Sequence, residues 1–203
     1  MPKRLRLFVH GSCKMIDAFK DIQKKLEQYD SKREELIKKS REVLKNSKQL
    51  IYALHRHNDK QASDLFKKVK QEKKELDNIT LFDKKLLFEG SYAEACQEYA
   101  EALSYNEFIK SGKIPSCEDL NIDYEDYLMG ICDLTGELVR RAVSLTTTKK
   151  FKEVEEIKDF VEEIYGEFLK FDLRNGNLRK KYDSIKWNLK KLEEVMYDIK
   201  TKK

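Results

Sequence analysis

Apolar residues recur along this chain at three- and four-residue steps, the spacing that places side chains on one face of a helix. The pattern is longest near the start, where it runs from Met15 to His57 and predicts an amphipathic helix of roughly 60 Å. Its apolar positions are Ile16, Phe19, Ile22, Leu26, Tyr29, Leu36, Val43, Leu50 and Leu54. A helix of this length is a large part of a 203-residue chain.

Turn residues separate this helix from the next two. Asn58 and Asp59 are the candidates for a break and an N-cap, and a second helix should then run to about Asn78. A third helix is expected from there to Gly112, loosened around Gly90 and stopped by Gly112 as its C-terminal cap. The segment "IPSCEDLNID" that follows reads as a loop.

Three further helices complete the prediction. They cover about 124–145, 151–171 and 177–200, separated by the polar hinge "TTTKK" and the turn "DLRNGN". No segment of any length alternates with the period of a strand. The sequence therefore predicts an all-α fold, a single-domain antiparallel bundle of six to seven helices over residues 15–203.

The composition agrees with long helices. The chain has two prolines and seven glycines, and 39 % of its residues are charged. No run approaches the roughly 18 to 20 apolar residues of a membrane span, so we expect a soluble, cytoplasmic protein with no membrane partner. Residues 1–14 are basic and lack a signal-peptide cleavage site. We expect them to be a flexible N-terminal arm or an expression remnant.

Several kinds of site are disfavoured by residue type and spacing. The four cysteines form no CxxC pair, which argues against zinc and suits buried thiols. His55 and His57 would point in nearly opposite directions on a helix, so we expect ordinary surface or helix-end histidines. The sequence has no phosphate-binding glycine loop and no nucleophile motif. A net charge of +5 permits a polyanionic partner without requiring one.

Two carboxylate pairs are the strongest candidates for chemistry. Glu98 and Glu101 lie three residues apart in "CQEYAEALSYNEF", and Asp133 and Glu137 lie four apart in "DYLMGICDLTGELVRR". Each pair shares a helix face beside apolar positions. Four oxygen ligands without nitrogen or sulfur suit Mg²⁺ or Mn²⁺, which can promote attack of water on a phosphodiester. Such pairs also arise by chance on solvated surfaces, and spacing alone leaves both interpretations open.

The segments "QEYAEALSYNEFIKSG", "DYLMGICDLTGELVRR" and "LRKKYDSIKWNLKKLEEVMYDIK" resemble the translin/TRAX family of all-helical RNA- and DNA-binding proteins. The likeness extends from "YDSKREELIKKSREVLKNSKQLIYALHR" to the C-terminus. Its "EYxEA" and "DLTGE" elements imply a Mg²⁺-dependent endoribonuclease, with Glu98, Glu101 and Asp133 as catalytic and metal-binding carboxylates and Glu137 completing the metal site. The tail is closer to translin, and the combination suggests a single-subunit, archaeal-type form.

Candidates for RNA contacts follow the second carboxylate pair. Arg140 and Arg141 lie three and four residues beyond Glu137, one turn along the helix, where they could hold phosphates beside the scissile one. The alternative is an intrahelical Glu137–Arg141 pair with one solvated arginine. Tyr99 and Tyr105 are expected to serve helix packing rather than base stacking.

The shorter basic runs at 149–150 and 179–181 are expected to be solvated helix surface. The first helix is too long for a chain of this size to cover, which predicts self-association. A second apolar stripe in the tail points the same way and comprises Trp187, Leu192, Val195, Met196 and Ile199. The resemblance implies a hollow homo-octamer whose sites face inward.

The predicted function is a Mg²⁺- or Mn²⁺-dependent endoribonuclease that binds single-stranded RNA inside this homo-octamer, with single-stranded DNA as the second candidate strand. One alternative is a non-catalytic scaffold that binds single-stranded nucleic acid. Another is an all-α nucleotide pyrophosphohydrolase, which the DxxxE spacing and the whole-chain resemblance disfavour.

Overall fold

The computed structural model describes the backbone of residues 6–201 and the side chains of residues 15–201. Within this range every regular element is helical, which confirms the all-α prediction. The α-helices are α1 (Arg6–His55), α2 (Asp59–Thr80), α3 (Gly90–Ser111), α4 (Cys117–Leu120), α5 (Tyr124–Thr147), α6 (Phe151–Phe168) and α7 (Asn177–Thr201). No helix in the described part of the chain combines the length and hydropathy needed to cross a bilayer.

The core is built around α3 and α5. Helix α1 packs on α2 and α3, α3 packs on α5, and α5 in turn packs on α6 and α7. Each helix contributes its apolar stripe, and burying one such large side chain stabilises the fold by about 1.5–3 kcal/mol. Fully buried members of this core include Leu36, Val43, Leu50, Leu76, Tyr105, Leu134, Leu138, Val154, Ile185 and Leu192.

Helix α1 is longer than the body of the protein that it packs against. Its 50 residues correspond to about 75 Å. The side chains of residues 15–28 are exposed, and burial begins only near Tyr29. This projecting half carries the apolar side chains of Met15, Phe19, Ile22 and Leu26 in solvent. The helix begins at Arg6, inside the stretch expected to be an arm, while residues 1–5 lie outside the described residues.

Two of the predicted helix ends are confirmed by their caps. Asn58 is the N-cap of α2, and its side chain accepts a hydrogen bond from the Gln61 backbone N–H at 3.2 Å. Gly112 ends α3 in the left-handed conformation, with φ of 70°. A glycine tolerates this backbone conformation, since it has no Cβ to clash with the preceding turn.

Two local predictions were wrong. The third helix does not run on from Asn78, because α2 ends at Thr80 and a 3₁₀ turn over Lys84–Phe88 precedes α3. The Asp83 side chain caps this turn by accepting a hydrogen bond from the Lys85 backbone N–H. The predicted loop "IPSCEDLNID" contains the helical turn α4, which a capping box between Ser116 and Asp119 stabilises.

The apolar stripe predicted in the tail is mostly used within the chain. Leu192, Met196 and Ile199 of α7 are buried in the core, whereas Trp187 remains 64 % exposed. Tyr99 and Tyr105 are likewise buried, as expected for helix packing. The projecting half of α1 is therefore the larger exposed apolar stripe.

Candidate active site

The backbones of α3 and α5 come into close contact at Gly130. A Cβ atom built on Gly130 would lie 2.6 Å from the Gln97 backbone oxygen and 2.7 Å from the Ala100 Cβ, both on α3. Since real Cβ atoms do not approach so closely, this position needs glycine. The contact lies beside the Glu101 backbone N–H, 3.2 Å from the same Cβ position. It sets the carboxylates of α3 next to those of α5.

The result is a cleft of about 630 Å³ in which all four predicted carboxylates meet. Helix α3 contributes Glu98 and Glu101, and α5 contributes Asp133 and Glu137. The other lining residues come from α1, α5 and α7, and they are Lys48, Ile51, Tyr52, Cys132, Gly136, Arg140, Ser184 and Asn188. The two pairs identified by helical spacing therefore share one site.

Glu101 is the most buried of the four carboxylates, with 7 % of its surface exposed. Among the described residues, no hydrogen-bond donor or ion-pair partner reaches its side chain. Burial, together with the negative charges of Glu98, Asp133 and Glu137, raises the pKa of Glu101 to about 9, although the positive charge of Lys181 opposes the shift. The carboxyl group is consequently protonated at neutral pH unless a cation compensates it.

Lysines from the first and last helices neutralise two of the other carboxylates. Lys48 Nζ lies 3.0 Å from Glu98 Oε1. Lys181 Nζ donates to Asp133 Oδ2 and, at 3.1 Å, to Gln97 Oε1. Lys181 was expected to be solvated helix surface, and that prediction was wrong for this residue, because α7 packs on α5 and directs it into the carboxylate cluster.

Glu137 has a histidine partner, which the sequence analysis expected at the surface or at a helix end without a role in the site. His55 ends α1, and its Nε2 lies 2.5 Å from Glu137 Oε2. His55 is a helix-end histidine, which is one of the two places expected for it, but its side chain is only 9 % exposed and does not lie on the surface. The hydrogen bond from His55 outweighs desolvation and lowers the pKa of Glu137. His55 follows the cleft-lining Ile51 by one turn, and that spacing is the signal that could have identified it.

The two arginines predicted to bind RNA lie in different places. Arg140 lines the cleft, with its Nη1 3.6 Å from Glu137 Oε2. Arg141 instead lines a second cavity of about 480 Å³ between α3, α5 and α6, together with Phe108 and Phe160. The intrahelical pair of Glu137 therefore forms with Arg140 at i+3 rather than with Arg141.

The four carboxylates do not form a ready-made metal site as their side chains stand. No group of three His, Cys, Asp or Glu side chains within residues 15–201 is arranged to hold an ion. Lys48 and Lys181 contact two of the carboxylates directly. The donor set is nonetheless all oxygen, as Mg²⁺ and Mn²⁺ prefer. Glu101, buried without a partner, is the kind of group that a bound cation would compensate.

The fold and the cleft together define a class: an all-helical protein with a carboxylate cluster between two central helices and cations at its rim. The profile of the Translin family matches residues 31–203, and the chain belongs to that family. This confirms the predicted translin/TRAX relationship.

Relatives and solved structures agree with this assignment. An uncharacterized protein of Methanocaldococcus jannaschii is 33 % identical over 166 residues, covering 80 % of this chain and 73 % of that protein. The translin-associated protein X homolog of Schizosaccharomyces pombe is 28 % identical over 151 residues, covering 64 % and 62 %. The crystal structure of AfC3PO superposes with a TM-score of 0.84 at 25 % identity, covering 92 % of this chain and 98 % of that one. AfC3PO in complex with duplex RNA shows the same fold, with a TM-score of 0.84 at 24 % identity.

Proposed function

We propose that this protein is a Mg²⁺- or Mn²⁺-dependent endoribonuclease that cleaves single-stranded RNA in the cleft between α3 and α5. The observation that carries the proposal is the meeting of four carboxylates around Glu101, which is buried and without a partner. Such a cluster is costly to the fold unless something positive enters it. A divalent cation would supply this positive charge, and the RNA phosphate bound to the cation would be the substrate.

We assign the four carboxylates of the cleft the roles that the family resemblance implies. Glu98, Glu101 and Asp133 would hold the ion, and Glu137 would complete the set. When bound, the cation supplies polarisation of the scissile phosphodiester and a lowered pKa for an attacking water. Glu101 must lose its proton to take part, and the nearby positive charge would favour that loss.

The cations of the cleft are suited to the substrate. Lys48 and Lys181 contact Glu98 and Asp133, so a cation taken up by those carboxylates would release both ammonium groups toward phosphate. Arg140 is more than half exposed at the rim and can bind a flanking phosphate in a bidentate manner. Tyr52 lines the cleft with half of its surface exposed, which suits stacking on an unpaired base.

The strand preference and the assembly are part of the proposal. The neighbour AfC3PO is described with duplex RNA, which supports RNA as the class of ligand. Stacking on Tyr52 needs an unpaired base, which favours a single strand, with single-stranded DNA as the weaker candidate. The apolar stripe of the projecting half of α1 supports self-association, and we propose a homo-octamer with inward-facing clefts.

The decisive experiment compares cleavage of single-stranded RNA, duplex RNA and single-stranded DNA by the assembled protein, with Mg²⁺ and with excess EDTA. Glu101→Gln and Asp133→Asn should each lower the cleavage rate by orders of magnitude while the affinity for RNA changes little. Glu94→Gln is the matched control, because Glu94 lies exposed on the same helix α3. Wild-type rates in Glu101→Gln, or full activity in EDTA, would refute the proposal.

A scaffold that binds RNA without cleaving it is the second candidate, favoured by the lysines that already neutralise Glu98 and Asp133. It predicts RNA binding with no cleavage under any metal. A panel of nucleoside triphosphates in the same assay would reveal a pyrophosphohydrolase. The mass of the assembly, measured by light scattering, tests the octamer, and a monomer at micromolar concentration would exclude it.

A further inference from the structure

His55 and Tyr105 form a buried chain of hydrogen bonds that ends on Glu137. His55 Nε2 lies 2.5 Å from Glu137 Oε2, and the Tyr105 hydroxyl lies 3.1 Å from His55 Nδ1. The His55 and Tyr105 rings also pack at a centroid distance of 5.0 Å. Tyr105 is fully buried and His55 nearly so, whereas Glu137 reaches the cleft. These hydrogen bonds therefore connect the core to the proposed site.

With Glu137 ionised and the imidazole of His55 neutral, the chemistry of the three groups determines the direction of these bonds. An ionised glutamate can only accept, so the proton of this contact belongs to His55 Nε2. In the neutral imidazole Nδ1 is then an acceptor, and the Tyr105 hydroxyl donates to it. Tyr105 thereby selects the tautomer that presents an N–H group to Glu137.

We propose that His55 is a positioning residue for Glu137, oriented by Tyr105. Its Nε2–H holds Oε2, so that Glu137 keeps one rotamer and offers Oε1 to a divalent cation in the cleft. This inference rests on the proposed function, since it assigns Glu137 to the metal site. Hydrogen-bonded partners of this kind typically contribute about 10–100-fold to metal affinity.

A pair of amide substitutions separates this role from simple packing. The side-chain nitrogen of glutamine takes the place of Nε2 and can still donate to Glu137, but it removes the imidazole acceptor of Tyr105, whose hydroxyl keeps its hydrogen bond with Arg141. The amide of asparagine takes the place of Nδ1, so it can pair with Tyr105 and cannot reach Glu137. Positioning therefore predicts rescue by His55→Gln and not by His55→Asn, whereas a packing role predicts no such order.

The experiment measures Mn²⁺ affinity of the assembled full-length protein without RNA, by electron paramagnetic resonance of the free ion. His55→Asn should weaken Mn²⁺ binding about 10–100-fold, and His55→Gln should stay within a few-fold of wild type. Tyr105→Phe, which removes one buried oxygen, should cause a smaller loss of the same sign. The matched control is His57→Asn, because His57 is exposed and its φ of 53° suits asparagine.

Glu137→Gln separates the role of Glu137 as a metal ligand from the role of His55 in positioning it. If Glu137→Gln weakens Mn²⁺ binding and His55→Asn does not, the positioning role is wrong and the metal site stands. Equal losses in the asparagine and glutamine variants of His55 also overturn it, in favour of packing. Unchanged affinity in Glu137→Gln removes Glu137 from the metal site and overturns both inferences.

Discussion

Two buried charged residues lie on opposite sides of α3, and the fold treats them differently. Lys73 of α2 is 2 % exposed, and its Nζ lies 2.6 and 2.8 Å from the two carboxylate oxygens of Asp77. Tyr92 donates a further hydrogen bond to Asp77 at 2.9 Å. Glu101 is buried to a similar degree, but it has three like charges nearby and no hydrogen-bond partner among the described residues.

The difference indicates which cluster is structural and which is functional. A buried charge with a complete set of partners stabilises one packing of α2 and α3 and leaves nothing for a ligand to add. Burying a carboxyl group without a partner lowers the free energy of unfolding, and no contact within the protein compensates for this loss. Sites that must bind something positive are expected to carry that cost.

The largest effect is expected from breaking the complete cluster. Lys73→Met keeps most of the side-chain volume but leaves the half-buried Asp77 without its cation. We expect unfolding to become easier by up to about 3 kcal/mol, the lower end of the cost of removing one partner of a buried ion pair. Denaturant titration of the variant checks this. Adding Asp77→Asn to Lys73→Met should recover part of the loss, and no recovery would contradict the ion-pair explanation.

The cost of ionising the buried Glu101 should appear in the pH dependence of the free energy of unfolding. The pKa of Glu101 is about 9 in the folded chain, above its ordinary value of 4.5. Its contribution to stability is therefore complete below pH 4.5 and is lost as pH rises toward 9. In EDTA, wild type should lose up to about 1.4 kcal/mol per pH unit between pH 6 and 8 relative to Glu101→Gln. Thermal melts of both proteins measure the difference.

Saturating Mg²⁺ should change the pH dependence of the stability of wild type but not that of Glu101→Gln. A cation bound to Glu101 removes the need for the proton, so the difference in pH slope between wild type and Glu101→Gln should shrink. An equal slope in the two proteins in EDTA would show that Glu101 ionises freely and that its burial has no electrostatic cost.

A smaller effect is expected from separating α3 and α5. Gly130→Ala places a methyl group against Gln97 and Ala100, and overpacking of this kind costs about 1–3 kcal/mol. Because the shift falls beside Glu101, cleavage should decline more than RNA binding. The matched control is Gly136→Ala on the same helix, where the nearest atom, Asn188 Nδ2, is 3.8 Å from the added carbon. Equal losses in both variants would argue against a role for the close approach.

The smallest effect is expected at the arginines. Arg140 lines the cleft and Arg141 does not, so Arg140→Ala should weaken RNA binding and lower its salt dependence by about one phosphate contact. Arg141→Ala should leave the salt dependence unchanged. Fluorescence anisotropy across a salt series measures both, and the reverse order would restore the prediction that Arg141 contacts RNA.

Helical spacing was sufficient for the bundle and for the pairing of carboxylates along each helix. Glu98 with Glu101, and Asp133 with Glu137, share faces by the geometry of a single helix, which is local information. Spacing says nothing about which helices are neighbours. The contacts of Lys181 with Asp133 and of His55 with Glu137 were therefore missed, because they join helices across 48 and 82 residues of sequence.

The break between α2 and α3 was missed for a different reason. The segment "LFDKKLLF" keeps apolar residues at spacings that suit a continuous helix. The turn depends on tertiary contacts instead, since Leu86 is fully buried while Tyr29 and Arg33 of α1 both bond Glu89 at the start of α3. Contacts over 56 and 60 residues outweigh local propensity there.

Because α1 is long and stiff, a movement of one of its ends is transmitted to the proposed site at the other. Its C-terminal end supplies Lys48 and Tyr52 to the cleft and His55 to Glu137, whereas its residues 15–28 project from the body with exposed side chains. From residue 15 to residue 55 the helix measures about 60 Å, so a tilt of about one degree displaces one end by about 1 Å relative to the other. A displacement of that size is enough to cost an enzyme about 100-fold in rate. A contact that holds the projecting half of α1 therefore also fixes the position of His55, and the stiffness of a single helix connects the exterior of the protein to Glu137.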